Sequence, residues 1–96
     1  MEPFIFARLY AREGCAAAVA RALQEVVIPT RAEEGCLAIQ AFGSIRDRRL
    51  FYVHSRWTYE AAFEFHATLP HTLRFLNQIE PLLDSPLDVT RARPLS

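Results

Sequence analysis

The sequence has no lysine: all 11 of its basic residues are arginines, balanced by 11 acidic ones. A lysine Schiff base and a lysine-bearing phosphate loop are therefore both excluded. The three glycines, Gly14, Gly35 and Gly43, are too scattered to cradle a nucleotide phosphate. Zero net charge gives no footprint for nucleic acid, which calls for a basic excess on the binding surface. No apolar run approaches the roughly 20 residues that cross a bilayer, and Met1-Glu2-Pro3 does not read as a signal peptide. Neither nucleic acid nor membrane is expected as a partner, and the expected compartment is cytoplasmic. Cys15 and Cys36 stand without a C-x-x-C spacing or a nearby zinc-spaced histidine, so both read as small buried hydrophobes rather than a disulfide. No serine sits in a G-x-S-x-G elbow.

What is present is apolar and periodic. At 96 residues, 51% of them hydrophobic, the chain reads as one domain over 1–96. Residues 3–11 alternate like a strand, with Ile5, Ala7 and Leu9 on one face and Phe4, Phe6, Arg8 and Tyr10 on the other. From Cys15 to about Arg31 the period turns helical through Ala16, Val19, Leu23, Val26 and Val27, and Pro29 predicts a kink or early stop. Residues 36–44 form a strand apolar on both faces, Leu37, Ile39 and Ala41 against Cys36, Ala38 and Phe42. The polar turn at 45–49, including Arg46, Arg48 and Arg49, reads as a solvated hairpin tip before a partner strand at 50–57. Thr58 is the expected N-cap of a helix running to about Leu69, where Pro70 interrupts it and a further stripe (Phe75, Leu76, Ile79, Leu82, Leu83) follows. A short strand at 87–93 closes the chain.

That order is β-α-β-β-α-β, the α+β ferredoxin-like arrangement of a four-stranded antiparallel sheet with helices on one face. The other face needs a cover, since the second strand is apolar on both sides. A homodimer through the open sheet face supplies it, burying Leu37, Ile39 and Ala41 or their opposite-parity neighbours.

Useful chemistry gathers near the third strand. Phe51, Val53, Ser55 and Trp57 share the face expected to look toward the helices, while Tyr52, His54 and Arg56 share the dimer-facing one. His66, four residues beyond Ala62 and three beyond Phe63, is aimed between helix and sheet near Trp57. Two readings of it stay open at this level: a general base in an aromatic-lined pocket, or a core histidine bonded to a backbone carbonyl. His71, after Pro70, is expected at the surface. Three histidines without helical i, i+4 pairing do not suggest a metal ligand set, and none is expected.

Taken together, Phe6-Ala7-Arg8-Leu9-Tyr10, Thr30-Arg31, the run Glu33-Glu34-Gly35-Cys36-Leu37, Phe51 through Trp57, Ala61-Ala62-Phe63 with His66, and Pro70-His71 resemble the antibiotic biosynthesis monooxygenase domain over nearly the whole chain. Quinol monooxygenases belong to that group. The resemblance implies a dimeric α+β barrel that oxidises a small aromatic or quinol substrate with dioxygen and without metal, flavin or other cofactor. It implies His66 as the catalytic residue and Trp57, Phe51, Ser55, Phe63 and His71 around the substrate. One position departs: many members carry a glutamate where this chain has Ser55, so no neighbouring charge is expected to stabilise a protonated His66. Haem-degrading relatives need an asparagine on the first strand, and the only asparagine here is Asn77. Two other classes fit the same scaffold: a non-catalytic small-molecule binder, and a cofactor-free isomerase or lyase.

Overall fold

In the computed structural model of the chain, which describes residues 2–96, β1 (Phe4–Tyr10) buries alternate side chains. Ile5 and Leu9 are covered, while Phe6 and Arg8 on the opposite parity are exposed. Around it form α1 (Ala16–Arg31), β2 (Cys36–Gly43), β3 (Leu50–Trp57), α2 (Glu60–His66), α3 (Pro70–Ile79), a 3-10 turn (Glu80–Leu82) and β4 (Asp88–Ala92). The strands lie in the order β2-β3-β1-β4, every neighbour antiparallel. This is the ferredoxin-like α+β fold. Leu9, Val19, Leu23, Phe51 and Ile79 make the centre of the core between the sheet and helices α1 and α3. Among the described residues no helix is long and apolar enough to cross a membrane.

Local chemistry explains most boundaries. Gly14, at φ +83°, takes the left-handed turn that releases the chain from β1 into α1. Helix α1 runs to Arg31, the end its periodicity predicts, and Pro29 does not stop it early. Thr30, next to it and fully buried, donates its hydroxyl to the Val26 carbonyl at 2.7 Å. Arg31 then donates through both Nε and Nη2 to the Ile39 carbonyl, at 3.2 and 3.1 Å, at the outer strand of the sheet.

Three details differ from the sequence reading. The parity of the second strand breaks at Leu37, where the register shifts between Cys36 and Ala38. Ile39 and Ala41 consequently face the helices beside Ser55 and Val53, and Ala38, Gln40 and Phe42 take the open face. Helix α2 starts at Glu60 without a side-chain cap, not at Thr58. The Thr58 N–H is spent on the Gly35 carbonyl at 3.0 Å, which holds the end of β3 to the start of β2. Arg49 is not a solvated tip residue: its Nε donates to the Ala11 carbonyl at 2.8 Å and its guanidinium covers the Tyr10 ring at 4.7 Å.

The second helical region is two helices. Pro70 occupies the first turn of α3, where its missing N–H costs nothing, and the chain bends over Ala67-Thr68-Leu69 between them. Helix α2 reaches the sheet because Gly35 has no side chain. A Cβ there would lie 2.5 Å from the Ala62 Cβ.

Gly35→Ala should therefore push α2 off the sheet and lower stability by about 1–3 kcal/mol, the usual cost of overpacking, read as a lower urea midpoint. Adding Ala62→Gly removes the clashing methyl and should restore most of the loss. An unchanged midpoint in the single variant would show that α2 is not held this closely.

Candidate functional site

The break between α2 and α3 sets two imidazoles side by side. His66 ends α2 and His71 is the second residue of α3, with ring centroids 6.0 Å apart. From the connection between α1 and β2, Glu33 reaches the space between them. Its Oε2 lies 2.7 Å from His66 Nδ1 and 2.7 Å from His71 Nε2. All three side chains are sheltered, with 13%, 18% and 10% of the His66, His71 and Glu33 side chains exposed.

Hydrogen-bond logic then assigns the protons. One carboxylate oxygen satisfies two imidazole nitrogens only if it is ionised and accepts from both. His66 thus carries its proton on Nδ1 and His71 on Nε2. His66 Nε2, which has no protein partner among the described residues, keeps its lone pair. The Thr72 hydroxyl flanks His66 Nδ1 at 3.2 Å.

The other side of the His66 ring is aromatic. It packs on Trp57 with centroids 4.8 Å apart and on Phe63 at 5.8 Å. Trp57 is 1% exposed, and its indole N–H donates to the Ser55 hydroxyl at 2.9 Å. Beyond them lies a cavity of about 280 Å³ between sheet and helices, walled by Ile5, Ala7, Leu23, Ile39, Val53 and Phe75 among others. Its polar lining is Thr30, Ser55, His66 and Thr72, and the Thr30 hydroxyl is already spent on α1. Arg91 on β4 holds α2 over this cavity through Glu60 and Glu64, each at 3.0 Å, with its guanidinium 5.3 Å from the Phe63 ring. A larger groove of about 680 Å³ between Arg12 and Leu87 contains no histidine or cysteine.

The structure sorts the sequence candidates. His66, Ser55 and Phe63 line the cavity. Trp57 lies behind that lining, wedged against Phe63 and His66. Phe51 belongs to the core cluster of Leu9, Leu23 and Ile79 and does not line the cavity. His71 is not at the surface as expected: the helix break turns it inward onto Glu33. The missing residue is Glu33 itself. Ser55 had left His66 without a carboxylate, and Glu33 supplies one from a different element. Read in sequence, it belongs to the run that carries the family resemblance, with no chemical role assigned to it. The signal that finds it is the pairing of Cys36 with Trp57, which brings that connection to the end of β3 where α2 begins. The histidines that failed to pair along one helix also meet in space. The donor atoms of Glu33, His66 and His71 lie within 4.8 Å of one another, a set of types able to hold a metal ion.

Residues 4–78, a span that contains Glu33, Ser55, Trp57, His66 and His71, match the model of the antibiotic biosynthesis monooxygenase family. The chain belongs to this family. Its relatives include "Putative monooxygenase YcnE" of Bacillus subtilis, 35% identical over 71% of this chain and 72% of that protein. "Putative monooxygenase Rv0793" of Mycobacterium tuberculosis is 31% identical over 95% of this chain and 89% of that one. Among solved structures, PA3566 from Pseudomonas aeruginosa superposes with a TM-score of 0.91 at 34% identity, covering 99% of this chain and 95% of that one. The Rv0793 structure gives 0.93 at 28% identity over 100% and 97% of the two chains.

Within this family member Cys36 has an ordinary role. Burial first, then the Glu33 carboxylate, push its thiol up from the usual cysteine range, which disfavours the reactive thiolate. In a Cys15→Ser background, alkylation of Cys36 at pH 7.5 should be slower than that of a free thiol. Glu33→Gln should accelerate it by removing the charge that opposes the thiolate. Alkylation as fast as that of free cysteine would contradict this placement.

Proposed function

We propose that this family member is a cofactor-independent monooxygenase acting on a small quinol or related phenol, with His66 as general base. The observation that carries the reading is the orientation of one imidazole. Its Nδ1–H is pinned by Glu33 at 2.7 Å, its ring is packed on Trp57, and it borders an apolar cavity. The histidine thus has its tautomer fixed and its Nε2 lone pair available, with an anion behind it to stabilise the imidazolium.

The reaction needs little else from the protein. His66 Nε2 takes a phenolic proton, and the resulting electron-rich anion reduces dioxygen directly, the new C–O bond forming at a free ring position. The sum is quinol plus dioxygen giving hydroxyquinone plus water: the substrate supplies the electrons, and one oxygen atom leaves reduced. A walled apolar cavity positions the ring and keeps water from the anion. At about 280 Å³ it suits a one- or two-ring substrate. Ser55 and Thr72 are the remaining polar groups to orient it.

The exposed sheet face supports a second part of the proposal, assembly as a homodimer. Phe6, Phe42 and Tyr52 stand 48%, 45% and 41% exposed on it. A contiguous apolar patch of this kind is normally covered. Light scattering should give a dimer near twice the 11.0 kDa chain mass; a well-folded monomer at micromolar concentration would refute it.

Oxygen uptake with menadiol-type quinols, against an enzyme-free autoxidation control, tests the chemistry. A non-catalytic binder, or an isomerase or lyase on this scaffold, would consume no oxygen. Uptake that never exceeds the control across a substrate panel would sink the monooxygenase reading. Given such turnover, His66→Ala should lower it at least tenfold, within the about 10²–10⁴-fold that positioned proton transfer contributes. His66→Gln keeps hydrogen bonding but cannot accept a proton at neutral pH, and should fail equally. Full activity in His66→Gln would remove His66 as the base.

A further inference from the structure

Two imidazole nitrogens that point at one carboxylate oxygen also point at a common cation position. We infer that Glu33 Oε2, His66 Nδ1 and His71 Nε2 form a binding site for a divalent transition-metal ion of the zinc class, and that its occupation switches His66 off as a base. The second half rests on the function proposed above; the first does not.

The donor set selects the ion. Two imidazoles and one carboxylate suit zinc and its late first-row neighbours, whereas magnesium and calcium prefer all-oxygen shells. Two histidines and a glutamate, with the fourth position left to water, is a recurrent zinc arrangement. The three atoms already lie within 4.8 Å of one another. Zinc bonds of about 2.0–2.2 Å place tetrahedral donors roughly 3.3–3.5 Å apart. The present N···O contacts are 2.7 Å and the set spans up to 4.8 Å. To admit the ion, the two imidazole nitrogens must draw together to the tetrahedral spacing and Glu33 must withdraw by less than about 1 Å. Its place in a connection rather than within a helix or strand permits that movement. The side chains are neither sealed nor loose, at 10–18% exposure. An ion therefore has a way in, and surface side chains do not compete for it.

Coordination also moves a proton. A neutral imidazole that gives its Nδ1 lone pair to a metal must carry its hydrogen on Nε2. In the metal-free arrangement that hydrogen sits on Nδ1, facing Glu33, and Nε2 holds the lone pair. The ion thus exchanges one tautomer for the other and removes the acceptor on which proton abstraction depends. Catalysis and metal binding become mutually exclusive uses of the same histidine.

The test titrates chelator-stripped protein with zinc chloride by calorimetry, alongside equilibrium dialysis with metal analysis. Trp57, the single tryptophan, reports independently because its ring lies 4.8 Å from His66. The expected result is one zinc per chain with a Kd at or below about 10 µM and a saturable change in Trp57 emission. Glu33→Gln and His71→Ala should each weaken binding at least tenfold, while His54→Ala, on the open face, should not. Circular dichroism checks that each variant is folded, and His71→Gln replaces His71→Ala if it is not. No saturable binding below about 100 µM, or equal binding in folded Glu33→Gln and His71 variants, overturns the site. Oxygen uptake should fall with zinc at the concentration that half-saturates binding. Binding without that inhibition in an active enzyme overturns the switch. Zinc binding in a protein that shows no turnover upholds the site and removes the proposed reaction instead.

Discussion

A carboxylate that is nine-tenths buried must recover the hydration it gives up, and Glu33 recovers it from two imidazoles at once. That shared oxygen ties the connection between α1 and β2 to both sides of the α2–α3 break. It fixes which nitrogen of each ring bears hydrogen, and so decides which nitrogen of His66 is left to act. The rest of the site serves this contact. Gly35 lets α2 lie against the start of β2, Pro70 ends one helix and begins the next, and Arg91 ties α2 to β4 through two glutamates.

On the opposite side of the same ring, polarity is used sparingly. The Trp57 indole spends its N–H on Ser55, and Thr30 spends its hydroxyl within α1. The cavity is left walled by hydrocarbon with a few convergent polar groups. This combination suits a neutral aromatic molecule better than an ion, because an unpaired charge there would go unsolvated. It also gives the serine a consequence beyond replacing an acid. A hydroxyl that accepts from Trp57 keeps its own hydrogen to donate, which a carboxylate does not have.

The two sheet faces divide the labour. Residues of one parity, Ile5, Leu9, Val53 and Ser55, close the core and cavity. Their neighbours Phe4, Phe6 and His54 form a cluster of packed rings on the open face. The bulge at Leu37 keeps this division intact along β2. Without the shift, a strict two-residue period would place Leu37 beside Ile39 on the helix side.

The order of strands and helices, the face of β1 and β3 that meets the helices, and the approach of His66 to Trp57 were all legible in the sequence. Each depends on a periodicity of two or 3.6 residues that a linear pattern carries. The family was legible for a similar reason, from motifs in a fixed order. The bulge, the late start of α2 and the anchoring of Arg49 were not. They follow from where backbone hydrogen bonds are spent: Thr58 on Gly35, and Arg49 on Ala11. The contact of Glu33 with His66 and His71 was the largest omission. Nothing in an acidic residue of a connection, or in a histidine after a proline, says that two residues 38 positions apart come to 2.7 Å. The sequence determined which residues have the chemistry to hold a proton or a metal. Only the tertiary structure decided which of them meet, because contact across a fold is set by register and helix packing rather than by spacing along the chain.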